Sequence, residues 1–465
     1  MAVPHHVRGI RSCKWYFDFF RNPLACLTEI HRRFGPLFAL GSPIPRNPRL
    51  YVVALSPALN QRILGDTDLF RTTSQGMKGP KGSALNRVRL GLTRMRGEQH
   101  RRQRKMLNPM FVPKAVEGLS RLIVEVTREE LDAWPVGEVT DAWILVRRLT
   151  LRTSSRTLFG RESRAKADAL GAIIQAQMAM TFSKGVWLCQ WDLPATPYRR
   201  MLKNAERMER VLREMIEYRR TTPTDQPDVL DRLVQARDAD GSSMTEGDLI
   251  GQMTILFGAS YETTATSLSW TLFLLAQHPE VALKVLQELD SVLGGELPSY
   301  EMLPRLTWLE AVVKESMRVM PPIPYLGRHA TAATNLDGVE LAVGDRVICS
   351  PYVIHRMPDL YPEPFRFRPE RWDGLEPDQY EYLPFGAGVR FCIGANYAMT
   401  VMKMTVAMIL QRFRFTVVPD ARIDQTVRVT MWPKRGLPMV FHKQDRRFEA
   451  VRVRGNVHGM VDLTP

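Results

Sequence analysis

The sequence predicts a mainly α-helical chain with a small β region, and three observations carry that expectation. The first is a set of long apolar runs with few breakers. Residues 249–277 make the longest, about 29 residues and about 43 Å long as a helix. Residues 119–134 and 143–159 read as amphipathic helices, and 398–410 as an apolar one. The second observation is that strand signals are short and confined. Residues 37–40 and 50–55 flank the turn-rich 41–48, and 413–418 and 426–442 read as strands and turns, with 432–436 at the tip of a hairpin. The third is composition. A chain of 465 residues, 45% hydrophobic, has ample material for a large core, and length alone suggests two or three domains.

Composition also narrows the function. The five cysteines (Cys13, Cys26, Cys189, Cys349, Cys392) are odd in number and scattered, so they form no disulfide framework and fit a reducing cytoplasm. No run of about 18 apolar residues exists, so no membrane span is expected. The aromatic patch at 15–20 is short and cut by Asp18; it reads as a packed N-terminal helix rather than a signal peptide. A net charge of +15 suits nucleic acid, a membrane surface or an acidic protein. No nucleic-acid motif accompanies it, so no nucleic-acid partner is expected.

The chemistry concentrates at residues 385–394, Phe-Gly-Ala-Gly-Val-Arg-Phe-Cys-Ile-Gly. Cys392 sits just ahead of the apolar helix 398–410, where the positive helix end lowers a thiol pKa. Arg390 adds a fixed positive charge suited to a carboxylate. A lone cysteine in a glycine-rich turn is ordinarily a small buried hydrophobe. Here the spacing Phe385, Gly388, Arg390, Cys392, Gly394 resembles the haem-binding loop of the cytochrome P450 family, the haem-thiolate monooxygenases. The resemblance implies haem b with Cys392 as axial iron ligand, Phe385 packed beside the sulfur and Arg390 on a haem propionate. It also implies one mainly helical domain over 1–465, with a core at 1–442 and a charged, unassigned C-terminal tail at 443–465. The haem would lie between the long helix and the cysteine loop.

Further segments appear in the family's order. Residues 87–105 carry eight basic side chains and one acid, Glu98, most of them expected on a solvated face. Within them 97–104 resembles the family's third main helix. His100 and Arg104 share a face four residues apart and would hold a propionate, while Arg101, Arg102 and Lys105 would point to the proximal surface. The long helix contains Ala259-Ser260-Tyr261-Glu262-Thr263-Thr264, which resembles the oxygen-activation segment with Ser260 in place of the usual Gly. Ile255, Ala259 and Thr263 share one face. Ala259 would leave room beside the haem for dioxygen, Thr263 and Glu262 would be the catalytic alcohol and acid, and Ile255 would meet substrate. Glu315-x-x-Arg318 and Arg371 in Pro-Glu-Arg-Trp would form a buried structural cluster. In the proline-rich 321–328, Ile323 and Tyr325 would border the substrate and Arg328 would bind a propionate. Trp432 would enter the pocket on its hairpin tip. Residues 76–82 and the cluster Met178, Met180, Phe182, Trp187, Trp191 read as a mobile loop and as core or pocket lid. His355 reads as a packing or supporting residue.

The implied activity is insertion of one oxygen atom of O2 into an apolar small molecule: a terpenoid, steroid, fatty acid or polyketide. Electrons would come from NAD(P)H through a separate acidic ferredoxin and its reductase, and the protein would be a cytoplasmic monomer. The rivals are a peroxide-driven peroxygenase on the same fold and a non-catalytic haem gas sensor. The Glu262–Thr263 pair argues against the first, and the oxygen-activation segment with the candidate pocket lid argues against the second.

Overall fold

The longest apolar run forms one uninterrupted helix, Glu246–Gln277, of 32 residues, about 48 Å at 1.5 Å per residue. It begins ahead of the expected boundary because Thr245 caps it, accepting from Asp248 N at 3.1 Å, with Glu246 and Asp248 in the positive first turn. Phe257, Tyr261, Trp270 and Phe273 are all buried, the pattern of a helix that runs through a core rather than along a surface.

The computed structural model describes residues 5–7, 9–42, 49–72, 77–160, 164–181, 183–225 and 227–463. The helices that build the site are α1 (Ile10–Arg21), α2 (Pro57–Gly65), α3 (Gly97–Leu107), α4 (Ala142–Phe159), α5 (Arg164–Thr181), α6 (Pro197–Thr221), α7 (Glu246–Gln277), α8 (Thr307–Val319) and α9 (Ala395–Arg412). Asp141 caps α4 by accepting from Trp143 N at 3.0 Å, and α4 then packs along α7. No helix among the described residues is long and apolar enough to cross a membrane.

The strands are β1 (His5–Val7), β2 (Leu37–Gly41), β3 (Leu50–Ala54), β4 (Phe70–Thr72), β5 (Val139–Asp141), β6 (Leu326–Ala330), β7 (Thr334–Leu336), β8 (Val339–Leu341), β9 (Arg346–Cys349), β10 (Phe413–Val417), β11 (Gln425–Val427), β12 (Met431–Pro433) and β13 (Pro438–Lys443). A six-stranded mixed sheet runs β1-β2-β3-β9-β6-β4, and a three-stranded one runs β10-β13-β5. β2 and β3 pair antiparallel from Leu37↔Ala54 to Gly41↔Leu50, as their short apolar runs predict. The intervening turn at 43–48, Gly76 and Phe182 lie outside the described residues.

Two expectations about the end of the chain change. The turn of the β11–β12 hairpin is at 428–430, not 432–436. Trp432 instead lies within β12, where its ring stacks on Trp143 of α4 at 6.0 Å and 14°. Residues 434–436 form a separate turn beside Asp141, where Gly436 takes φ +82° and Leu437 N donates to Asp141 Oδ1 at 2.8 Å. The charged, unassigned segment after Lys443 packs onto the core. Phe448, Val453, Val457, Met460 and Val461 are buried, and Arg356 donates to Met460 O at 2.7 Å. Its charges had masked the apolar residues spaced between them.

Candidate active site

The cysteine loop is closed by its own backbone. Gly386 N donates to Leu383 O at 3.1 Å and Cys392 N to Phe385 O at 2.9 Å. Gly388 has φ +64°, and a Cβ there would lie 2.6 Å from the Leu64 carbonyl oxygen of α2, so both conformation and space require glycine. The Phe385 ring stands 6.4 Å from Phe391, and Gly394 leads directly into α9. Cys392 keeps exposed side-chain surface although protein surrounds it closely. Its thiol pKa is raised, not lowered as the helix end alone predicts. Burial outweighs the Gly394 N–H and the Arg104 guanidinium, both of which favour thiolate.

Cations gather beside this loop. Arg390 donates to Leu92 O at 3.1 Å and Met95 O at 2.6 Å, and Arg104 donates to Phe391 O at 2.8 Å. Arg328 donates to Gly327 O at 3.0 Å while its buried Nε has no partner. Burial, then Arg328, Arg104 and Arg96, pushes Arg390 down to about 10. Burial, then Arg390, Arg104 and Arg101, pushes the buried His100 down to about 4, so it is a neutral N–H donor at pH 7. Among the described residues, none of Arg104, Arg328 and Arg390 forms an ion pair with a carboxylate. Burying cations without counter-charge is costly, and an anion bound here offsets that cost. Arg96 belongs to this field, and the sequence reading had left it among the solvated arginines.

On α7, Ala259 is exposed although Leu256, Phe257 and Tyr261 around it are buried. Thr263 Oγ1 donates back to Ala259 O at 2.6 Å. Ser260 turns away from that face, its Oγ lying 2.9 Å from Ser154 Oγ on α4, and the helix continues without a break. Glu262 does not point freely to solvent: Thr430 Oγ1 donates to its Oε1 at 3.1 Å. No sequence spacing links those two positions.

The proposed substrate residues lie at different points of the fold. Ile255 packs beneath Gly91, where a Cβ would lie 2.4 Å from Ile255 Cγ2, so residues 90–92 rest directly on α7. Leu92 N donates to Gln252 Oε1 at 2.9 Å and ties them there. Ile323 and Tyr325 are half-buried, with the Tyr325 ring edge-on to Phe19 of α1 at 5.5 Å. Met178 of α5 lies against Gly258, whereas Trp187 and Trp191 face outward, 55% and 69% exposed.

The Glu315 cluster forms as expected and is fully buried at its centre. Glu315 Oε1 accepts from Arg318 and from Arg371, both at 2.8 Å; Oε2 accepts from Arg318 Nε at 2.9 Å and Trp372 Nε1 at 3.1 Å. Arg318 also donates to His355 O at 2.7 Å. His355 is buried, accepting from Leu383 N at Nε2 (2.8 Å) with Nδ1 3.2 Å from Arg318 O, and so braces the start of the cysteine loop. Of the outward-facing cations of α3, Arg101 pairs with Glu98 at 2.8 Å and Arg102 with Asp238, while Lys105 is exposed.

Comparison with known proteins agrees with this geometry. The cytochrome P450 family model matches residues 13–438. Cyclooctat-9-en-7-ol 5-monooxygenase of Streptomyces melanosporofaciens is 33% identical over 359 residues, covering 74% of this chain and 77% of that protein. Cyclooctatin synthase of the same organism is 31% identical, covering 84% and 86%. Pentalenene oxygenase of Streptomyces avermitilis is 28% identical, covering 90% and 93%. The solved structure of retinoic acid bound cyanobacterial CYP120A1 superposes with a TM-score of 0.79 at 22% identity, over 96% of this chain and 100% of that one. A family match spanning nearly the whole chain and monooxygenase relatives of similar length lead to one conclusion: this chain belongs to the cytochrome P450 family and is a monooxygenase.

Proposed function

We propose that this chain oxidises a cyclic terpenoid, using O2 and electrons from NAD(P)H passed through a separate acidic ferredoxin and its reductase. The observation that supports the substrate class is the naming of the relatives, which act on cyclooctat-9-en-7-ol and pentalenene and oxidise terpenoids. The family implies a haem-thiolate cofactor, and haem b is the form proposed. The residues present suit it: an exposed cysteine in a glycine loop, with buried Arg328 and half-buried Arg104 and Arg390 that form no carboxylate ion pair among the described residues. Bound there, the haem supplies the redox chemistry that activates O2.

In this reading Cys392 ligates the iron and Phe385 shields the sulfur. Arg390, Arg104, Arg328 and neutral His100 hold the propionates, each through N–H donors. Ala259 offers only a methyl to the exposed face of α7, which leaves room for O2. Thr263, whose hydroxyl donates to Ala259 O, would offer that hydroxyl to O2, and Glu262 would pass protons inward. Ile255, Ile323 and Tyr325 line the substrate's path with apolar and aromatic surface, while Trp432 stays stacked on Trp143. The protein acts as a monomer.

The test begins with the reduced carbon monoxide complex, which should show the thiolate-type absorption in the wild type and lose it in Cys392→His. A panel of cyclic terpenes is then screened for the spectral change caused when substrate displaces water from iron. Product should form with NADPH, surrogate ferredoxin and reductase. Product with peroxide but not with NADPH, ferredoxin and reductase, or no product under either condition, overturns the reading.

A further inference from the structure

We propose that Thr430 positions the Glu262 carboxylate, making the β11–β12 turn part of the proton-handling apparatus of α7. The inference rests on the role given to Glu262 above. Thr430 is 3% exposed, and its hydroxyl donates to Glu262 Oε1 at 3.1 Å. Among the described residues Glu262 forms no ion pair, so this hydroxyl is the side-chain group that orients it. The bond fixes one oxygen and leaves Oε2 to take and release protons.

The turn is held firmly enough for this task. Trp270 Nε1, two turns along α7 from Glu262, donates to Met431 O at 2.7 Å. Met431 N donates to Pro322 O at 3.0 Å, and Trp432 stacks on Trp143. Carboxylate and hydroxyl are thus both referenced to one helix, and their separation does not depend on loop motion. A hydrogen bond to a charged group is strong enough that its loss changes a rate about tenfold where the geometry it fixes limits that rate.

The experiment uses the haem-loaded protein with surrogate ferredoxin and reductase, and the cyclic terpene that gives the largest spectral change. Thr430→Val should lower NADPH oxidation about tenfold and raise the solvent deuterium isotope effect, with the terpene's spectral Kd unchanged. Thr430→Ser should restore both. Adding Glu262→Gln to Thr430→Val should cause no loss beyond that of Glu262→Gln alone. Independently of turnover, the infrared carboxylate band that disappears in Glu262→Gln should shift in Thr430→Val and return in Thr430→Ser. If Thr430→Val does not fold, Thr430→Ala against Thr430→Ser gives the same comparison. An unshifted band with wild-type turnover overturns the proposal while Glu262 keeps its role. Equal loss in Ser and Val also overturns it, since the threonine then acts by packing. Wild-type behaviour of Glu262→Gln removes both this inference and the reading beneath it.

Discussion

At Thr263 the hydroxyl donates to a carbonyl of its own helix, so the bond it makes in this structure is dispensable to folding. Thr263→Ala should therefore keep wild-type stability and consume NADPH at much of the normal rate. On the proposed role of its hydroxyl, it should release hydrogen peroxide in place of product. Glu262→Gln should slow consumption and product together, by about 10²–10⁴-fold if the carboxylate is the general acid–base group. Peroxide, NADPH and product measured side by side separate the two; a fully coupled Thr263→Ala shows the hydroxyl is not used. Candidate residues for this site could be picked out of the sequence where the chemistry has a local spacing, as with Cys392 and Arg390 or His100 and Arg104. Thr430 was not, because 168 residues separate it from Glu262 and only the fold brings them together. The direction of the Cys392 shift was misread for a related reason: the helix end is visible in sequence, whereas the burial that outweighs it is not.

Between elements, charge acts in two ways according to burial. The Glu315–Arg318–Arg371 cluster joins α8 to the 362–372 segment, with Glu315 and Arg318 both 0% exposed. Arg371→Ala leaves Glu315 buried with one charged partner removed, and should cost about 3–5 kcal/mol in denaturant unfolding. Arg412→Ala breaks an exposed pair with Asp132 and serves as the control, with stability unchanged within error. On α3 the exposed cations Arg101 and Lys105 should instead set an encounter rate. Reduction by an acidic ferredoxin should slow as salt rises, with a screening length of about 8 Å at physiological strength, and slow further in Arg101→Glu/Lys105→Glu. Salt-independent reduction counts against this surface. Arg102 is left out because Asp238 holds it, and reversing its charge would loosen the turn before α7. The long helices could be read from sequence because each carries its own apolar pattern. The hairpin turn at 428–430 was misplaced because Pro433 and Gly436 signal a turn more loudly than Arg428, Val429 and Thr430 do.

Across the whole molecule, the pH dependence of stability should follow the neutral buried histidines. His355 Nε2 accepts from Leu383 N, so Nδ1–H faces Arg318 O and protonation would set N–H against N–H. Burial, then Arg318 and Arg356, holds its pKa well below the ordinary value. Below about pH 6.5 the unfolded chain binds a proton that the fold refuses, so stability is fully present above that pH and lost as pH falls. The slope from this one group is about 1.4 kcal/mol per pH unit. His278, also lowered mainly by burial, adds with the same sign. Urea midpoints from pH 7.5 to 5 should fall in the wild type and fall less steeply in His355→Gln; a flat wild-type profile contradicts the assignment. Length suggested two or three domains, and only the motif order revealed one unit. Composition likewise hid the role of the last residues, where charged side chains are interspersed with the apolar ones that do the packing. That final segment sets how the gene tolerates damage. A nonsense mutation just after codon 442 does not trim an appendage. It withdraws Phe448, Val457 and Val461 from the interior and strips Arg356 of its Met460 acceptor, so the shortened product is a misfolding species for proteases rather than a slightly smaller enzyme.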